Sequence, residues 1–379
     1  MQSTFYEFFA GGGMARAGLG EGWKCLFAND FDVKKAAAYK ANWGGAELSP
    51  HDIWALAPFE LPGHADLAWA SFPCQDLSLA GLGAGLNGDR SSAVRGFWRL
   101  MRHLRSERRA PSIVILENVC GLLTSRNGED FKELAQVFAT TGYRFGALVV
   151  DAVAFIPQSR PRLFVIGLAD HLSLDNSLFA PGPSPAWHPK TLQMAAARLH
   201  ESIANKWLWF SPPEPEARNA LLSDLLEDDA RVRWRSADDT LRLLDMMSPV
   251  NKGKVDDAVA SGGRAVGAVY KRTRLEDGRK VQRAEVRFDG LSGCLRTPSG
   301  GSSRQLLLVV DHGEVRSRLL STREAARLMG LDDDYILPEG YNDAYHLAGD
   351  GVAVPVVRFL AETIVEPMLG AKRSVALAA

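Results

Sequence analysis

In the stretch WASFPCQDLSLAG, Trp69 to Gly81, a proline, a cysteine and a glutamine stand in a row between an apolar run and a glycine-rich stretch. A lone cysteine is more often a small buried hydrophobe than a nucleophile, so the thiol of Cys74 acquires chemical meaning only from its company. Glu117, in ENV, closes the apolar run PSIVIL. Its carboxylate then projects from the carboxyl edge of a buried strand, where it can serve as an acid or a hydrogen-bond donor. QSRPR, residues 158–162, sets Arg160 and Arg162 at alternate positions ahead of LFVIG. In an extended chain these face one side and can reach one anionic or carbonyl-bearing substrate; a surface charge pair is the bland alternative.

FFAGGGMARAGLG places a glycine-rich turn between a strand and a helix, where the backbone approaches a ligand closely and helix amides face outward. Such a turn serves nicotinamide, flavin, nucleotide and S-adenosylmethionine binders alike. Asp30, in FANDFD, ends the second strand and is suited to ribose hydroxyls. Asp52, in HDIW, stands at the next strand-like break, where a carboxylate can accept from an adenine amino group. Helix capping is the alternative for both aspartates.

These groups need a scaffold that brings strand ends together. TFYEFFA, KCLFAND, ADLAWASF, PSIVILENV and RLFVIGL read as strands. MARAGLGEGW, DVKKAAAYKANW, AVRGFWRLMRHLRSE and GEDFKELAQVFATTG read as helices between them, which predicts an α/β fold with a doubly wound, mostly parallel sheet. From about 171 the texture changes to proline-rich FAPGPSPAWHPK and FSPPEPE, a boundary signal. The segment to about 320 offers only short strand candidates, AVGAVYKRTR, AEVRFDG and QLLLVVDHGEV, and the loop RTPSGGSSRQ. TREAARLMGL and PVVRFLAETIVEPML read as helices, the first capped by Ser321 or Thr322 with Glu324 in its first turn.

The 379 residues are 46% hydrophobic, enough for a large domain with a smaller one. Four cysteines without a C-x-x-C pair argue against a disulfide scaffold or a zinc site, and for a reducing compartment. No apolar run approaches the ~20 residues of a membrane span, and the N-terminus lacks a signal-peptide layout, so a cytoplasmic protein is expected. The net charge is −1, but residues 231–300 carry fifteen basic against nine acidic side chains, where a polyanion is expected to bind.

The ordered set FFAGGG, FPCQDLS, ENV, QSRPR, STREAARLMG and GDGVAVPVV resembles the motif series of the DNA cytosine carbon-5 methyltransferases, over nearly the whole chain apart from 171–290. The resemblance implies a Rossmann-like S-adenosylmethionine-dependent methyltransferase domain, 1–170 plus 321–379, and a smaller, irregular mixed target-recognition domain, 171–320. It implies Cys74 as the nucleophile that adds to carbon 6 of cytosine, Glu117 at ring nitrogen 3, Arg162 at the ring oxygen, and Arg160 supporting the site and a nearby phosphate. Pro73 would shape the loop, and the Phe72 carbonyl would accept from the exocyclic amino group.

For the cofactor it implies Phe9, Ala10, Gly11, Gly12, Gly13, Asp30, Phe31, Asp52, Ile53, Pro73, Asp350, Gly351 and Val352. Gln75, Ser78, Asn118, Arg296, Arg304 and Gln305 would face DNA. No metal is implied. The expected partners are double-stranded DNA, whose target base must be extruded from the stack, and a cognate restriction endonuclease encoded nearby; the enzyme itself would act as a monomer.

Two stretches depart from the family pattern. Ala70 and Ser71 replace a usual pair of glycines, and Asp350 replaces the usual asparagine of Gly-Asn-Ser/Gly-Val. Three other classes of protein share some of these features. A transfer-RNA cytosine methyltransferase would carry a Cys-Phe-Thr signature that is absent here. A catalytically silent DNA-binding protein would not keep Cys74, Glu117, Arg160 and Arg162. A nicotinamide dehydrogenase explains the glycine turn and Asp30 but neither FPCQ nor QSRPR.

Overall fold

The computed structural model describes residues 2–72, 93–276, 278–296 and 304–370. Its largest sheet has seven strands: β1 Ser3–Phe8, β2 Trp23–Asn29, β3 Leu48–Ser49, β4 Leu67–Ser71, β5 Ile113–Val119, β6 Tyr143–Asp151 and β7 Pro161–Ala169. Their order is β3-β2-β1-β4-β5-β7-β6. The first five run parallel, while β7 lies antiparallel between β5 and β6. Buried on both faces, the central strands are continuous apolar runs such as Leu67–Ala70 and Ile113–Leu116.

The helices α1 Met14–Leu19, α2 Val33–Trp43, α3 Ala93–Ser106 and α4 Glu129–Thr140 fall where their periodicity placed them. Asp32 caps α2, accepting from the amides of Lys34 and Lys35, and Gly44 ends it at φ 82°. The expected first helix is shorter than its pattern, because Gly20, at φ 75°, terminates α1. β6, which alternation alone did not single out, is the sheet's edge.

Contacts divide the chain into two compact units. The first comprises 1–151, 161–216 and 352–379; the second comprises 152–160 and 217–351. These bounds differ from the compositional ones. Prolines mark irregular backbone, but 171–216 still packs on the first unit: the Val149 and Leu208 amides donate to the carbonyls of Trp187 and Phe145 at 2.9 and 2.7 Å. This segment also carries the short strand pair β8 Phe179–Ala180 and β9 Trp209–Phe210. The C-terminal helix Val354–Leu360 packs on α1 in the first unit, where a Cβ at Gly18 would lie 2.4 Å from Val357. Only a glycine admits that approach.

The second unit is more regular than its composition suggested. β10 Ala265–Glu276, β11 Arg279–Arg287, β12 Leu306–Asp311 and β13 Glu314–Leu319 form an antiparallel sheet in the order β11-β10-β12-β13. QLLLVVDHGEV, one strand candidate in the sequence, folds into two strands around His312 and Gly313, both at positive φ, the conformation of a tight hairpin turn. Helices Ala237–Asp245 and Pro249–Ala260 supply Leu243 and Val255, and the link between them Met247, to a core with Val269, Val286 and Leu308. Ser321 caps helix Thr322–Arg327 in a capping box with Glu324. Glu324 also receives both arms of the buried Arg318 guanidinium, at 2.6 and 2.7 Å. Neither buried charge lacks its counter-charge.

Candidate active site and cofactor turn

The glycine turn begins where β1 ends. Phe9 and Gly11 both take φ 56° and Gly13 takes φ 80°. A Cβ at Gly13 would sit 2.3 Å from Trp43 Nε1, whereas one at Gly11 would meet open space. The turn is fastened from outside: the Ala10 amide donates to Asn29 O at 2.9 Å, and the Trp43 indole donates to Gly12 O at 2.9 Å. Asp30 does the same work at Gly11, whose amide donates to its Oδ2 at 2.7 Å; its Oδ1 accepts from Asp32 N at 2.9 Å. Burial raises the Asp30 carboxyl above its ordinary range, against the pull of those two amides. Asp30 thus shapes the turn as well as bordering it.

Beside it Phe31 is 63% exposed, an unusual position for a large ring and one that offers a flat apolar face. Asp52 accepts from Trp54 N at 2.8 Å, and Ile53 is buried. An open glycine turn, an exposed ring and flanking carboxylates suit a ligand with both a charged amino-acid end and a stacked adenosine. S-adenosylmethionine fits that description.

Sequence reasoning missed Glu7, two residues before the turn. It is 1% exposed; its Oε1 accepts from Arg16 N in α1 at 3.3 Å, while its Oε2 has no hydrogen-bond partner among the described residues. An acid between aromatic residues of a strand is the only signal the sequence offers. Burial pushes the Glu7 carboxyl up to about 8 from an ordinary 4.5. The folded chain therefore keeps a proton that the unfolded chain releases near pH 4.5. Stability from this group is fully present below pH 4.5 and is lost as pH rises toward about 8, at up to about 1.4 kcal/mol per pH unit. Denaturant unfolding at pH 5, 7 and 9 should show this slope in the wild type and a shallower one in Glu7→Gln. Equal slopes would mean that other groups govern the pH dependence.

The candidate reactive edge lies at the carboxyl ends of β4 and β5 and the start of β7. Ser71 of β4 pairs with Glu117 of β5, and Val119 of β5 pairs with Arg162 of β7. This register brings Arg162 Nε to 3.2 Å from Glu117 Oε1, with the carboxylate almost wholly buried. Asn118 turns the other way and donates to Phe72 O at 2.9 Å, fixing the last described residue before Cys74 in the sequence. Pro73, Cys74, Gln75 and Ser78 lie outside the described residues. Cys120, next along from Val119, has its thiol pushed up by burial, with Arg162 opposing.

Arg160 does not share this edge with Arg162. β7 starts at Pro161, so the alternation of an extended strand does not hold at Arg160. Its side chain, 2% exposed, donates to the carbonyls of Gly349, Gly351 and Leu295 at 2.8, 2.7 and 3.1 Å, and to Cys294 Sγ at 3.3 Å. Asp350 ends helix Tyr341–Asp350 and is exposed, while Val352 is buried in the first unit. Gln305, expected to touch DNA, is 4% exposed and its amide donates to Val269 O and Leu306 O, each at 2.9 Å. That side chain is committed to the interior of the sheet. Arg304 is exposed, lies 5.4 Å over the Tyr341 ring and pairs with Asn342; Arg296 is exposed too.

Comparison with known proteins matches residues 3–366 to the family model for C-5 cytosine-specific DNA methylase. Among curated relatives, the Type II methyltransferase M.BsuFI of Bacillus subtilis is 27% identical over 98% of this chain and 75% of its own length. The Type II methyltransferase M.HhaI of Haemophilus parahaemolyticus is 24% identical over 95% of this chain and 93% of its own. Among solved structures, the S. pombe Dnmt2 methyltransferase superposes with a TM-score of 0.61 at 17% identity, covering 97% of this chain and 99% of that one. The first unit's sheet accordingly has the Rossmann-like methyltransferase architecture.

Proposed function

Because the chain belongs to the C-5 cytosine-specific DNA methylase family, we propose that it methylates carbon 5 of cytosine at a specific double-stranded DNA sequence through a covalent adduct on Cys74. The observation that carries the reading is the buried Glu117–Arg162 pair at the strand edge, in register with the strand that leads into Cys74.

Carbon 5 of cytosine is a poor nucleophile. Addition of the Cys74 thiolate to carbon 6 forms a C–S bond and moves electron density onto carbon 5. Glu117 donates a hydrogen bond or proton at ring nitrogen 3, which accepts the displaced charge, and Arg162 holds the ring oxygen. S-adenosylmethionine, when bound, supplies the methyl group that carbon 5 takes up. Loss of the carbon-5 proton to a base then restores the double bond, breaks the C–S bond and returns the thiolate. Both faces of the ring must be reached, so the base is extruded from the duplex.

The cofactor is held by Phe9, Ala10, Gly11, Gly12 and Gly13, by Asp30, Phe31, Asp52, Ile53 and Pro73, and by Asp350, Gly351 and Val352. DNA contacts fall to the basic second unit, where Arg296 and Arg304 are exposed. There Arg272 and Arg283 stand opposite each other across β10 and β11, each ion-paired with a glutamate of the same sheet, Glu285 and Glu276. The Type II relatives support a restriction–modification setting, with a cognate endonuclease as partner and a cytoplasmic location. Among the described residues no helix is long and apolar enough to cross a membrane.

Duplex DNA carrying 5-fluorocytosine at a confirmed methylation site should trap a denaturation-resistant protein–DNA complex in the presence of S-adenosylmethionine, because fluorine cannot leave as the proton does. A confirmed site that yields methylation but no adduct would overturn the covalent route.

A further inference from the structure

We propose that Arg160 is a positioning residue for the cofactor rather than a contact to phosphate. Its guanidinium sets the backbone of the Gly349-Asp350-Gly351 turn and ties that turn to Cys294 and Leu295. This inference rests on the reading above that 349–352 lies against S-adenosylmethionine.

The geometry points inward. Arg160 is 2% exposed, and one guanidinium nitrogen, Nη2, bridges Gly349 O and Gly351 O at 2.8 and 2.7 Å. The other, Nη1, reaches Leu295 O at 3.1 Å and Cys294 Sγ at 3.3 Å. The main chain of Arg160 is held as well, its carbonyl accepting from Ala152 N at 3.2 Å. A phosphate contact requires donors turned to solvent, and these are turned onto carbonyl oxygens.

Gly349 and Asp350 close the helix Tyr341–Asp350 and the Gly351 amide donates to Leu347 O at 3.2 Å, but the last carbonyls of a helix have no partner within it. One arm of the planar guanidinium fork, Nη2, takes the carbonyls on either side of Asp350 and so fixes their separation. The same fork fastens Cys294-Leu295, immediately before exposed Arg296, so the order of one segment depends on the order of the other. Lysine keeps the charge and the stem, but its single ammonium cannot hold the Gly349 and Gly351 carbonyls and reach Leu295 O as well.

Three readouts separate this role from its rivals: calorimetric titration of Arg160→Lys with S-adenosylmethionine, the salt dependence of its DNA affinity, and its melting temperature. The expected result is a roughly tenfold weaker cofactor affinity, with the slope of log affinity against log salt equal to that of wild type. Arg160→Gln removes the charge that lysine keeps, and a salt slope reduced by about one in that variant with unchanged cofactor affinity would overturn the proposal in favour of a phosphate contact. A lowered melting temperature with both affinities unchanged would also overturn it, leaving a purely structural residue.

Should the variant not fold, hydrogen exchange on the unaltered protein decides. Adding S-adenosylhomocysteine should slow amide exchange at 294–295 and 349–352 together. Slowing confined to 349–352 would overturn the coupling. Failure of the wild-type protein to bind S-adenosylmethionine at all would instead sink the cofactor reading, which the same titration detects first.

Discussion

Replacing Cys74 with serine should abolish methyl transfer, by a factor on the order of 10⁴–10⁶ in single-turnover rate, while leaving affinity for duplex DNA within about twofold of wild type. The hydroxyl is nearly isosteric with the thiol, so the site keeps its shape. What changes is the nucleophile: a serine hydroxyl is almost wholly protonated at neutral pH and forms no useful alkoxide without a strong base beside it. Glu117, the nearest described carboxylate by strand register, is already engaged by Arg162. The measurement is a single-turnover assay at saturating cofactor alongside a DNA-binding titration. Retention of more than about a hundredth of the wild-type rate would rule out covalent catalysis through this residue.

Glu117→Gln should slow the chemical step by roughly 10²–10⁴ while changing S-adenosylmethionine affinity little. The amide preserves the volume of the side chain and can still accept from Arg162 Nε, now 3.2 Å from a carboxylate oxygen. It cannot, however, release an acidic proton to ring nitrogen 3, so negative charge built up by thiolate addition has no acid to receive it. The 5-fluorocytosine adduct should then form more slowly in the same proportion, because the lost step precedes methyl transfer. An adduct that forms at the wild-type rate, with only later steps slowed, would move Glu117 to a role after addition.

Much of the scaffold was legible in the sequence because it depends on local rules. Alternating apolar runs and amphipathic stretches mark β1, β2, β4 and β5 and the helices between them; Asp32 and Gly44 bound α2 by capping chemistry that needs only neighbouring residues. The glycine turn was legible for the same reason, since its positive φ values restrict residue choice wherever the chain goes next. The ENV motif at the close of an apolar run placed Glu117 at a strand's carboxyl edge, and the pairing with Ser71 and the ion pair with Arg162 show what stands beside it.

The tertiary structure alone decided which partners these groups meet. Periodicity reports that side chains alternate; it does not report which strand lies alongside or in which direction. Only the insertion of β7, antiparallel, between β5 and β6 puts Arg162 on Glu117. Arg160, two residues earlier, precedes the strand, and its guanidinium is drawn instead to the carbonyls of Leu295, Gly349 and Gly351, more than a hundred residues away in the chain. Gln305 looks polar and available in sequence, yet β12 carries it inward, where Val269 O and Leu306 O satisfy its amide. Glu7 looks unremarkable beside its aromatic neighbours, but burial under α1 raises its carboxyl to about 8. In each case the outcome depends on burial and on partners distant in sequence, and a polar group removed from water takes the role of whichever partner the fold sets within hydrogen-bonding distance.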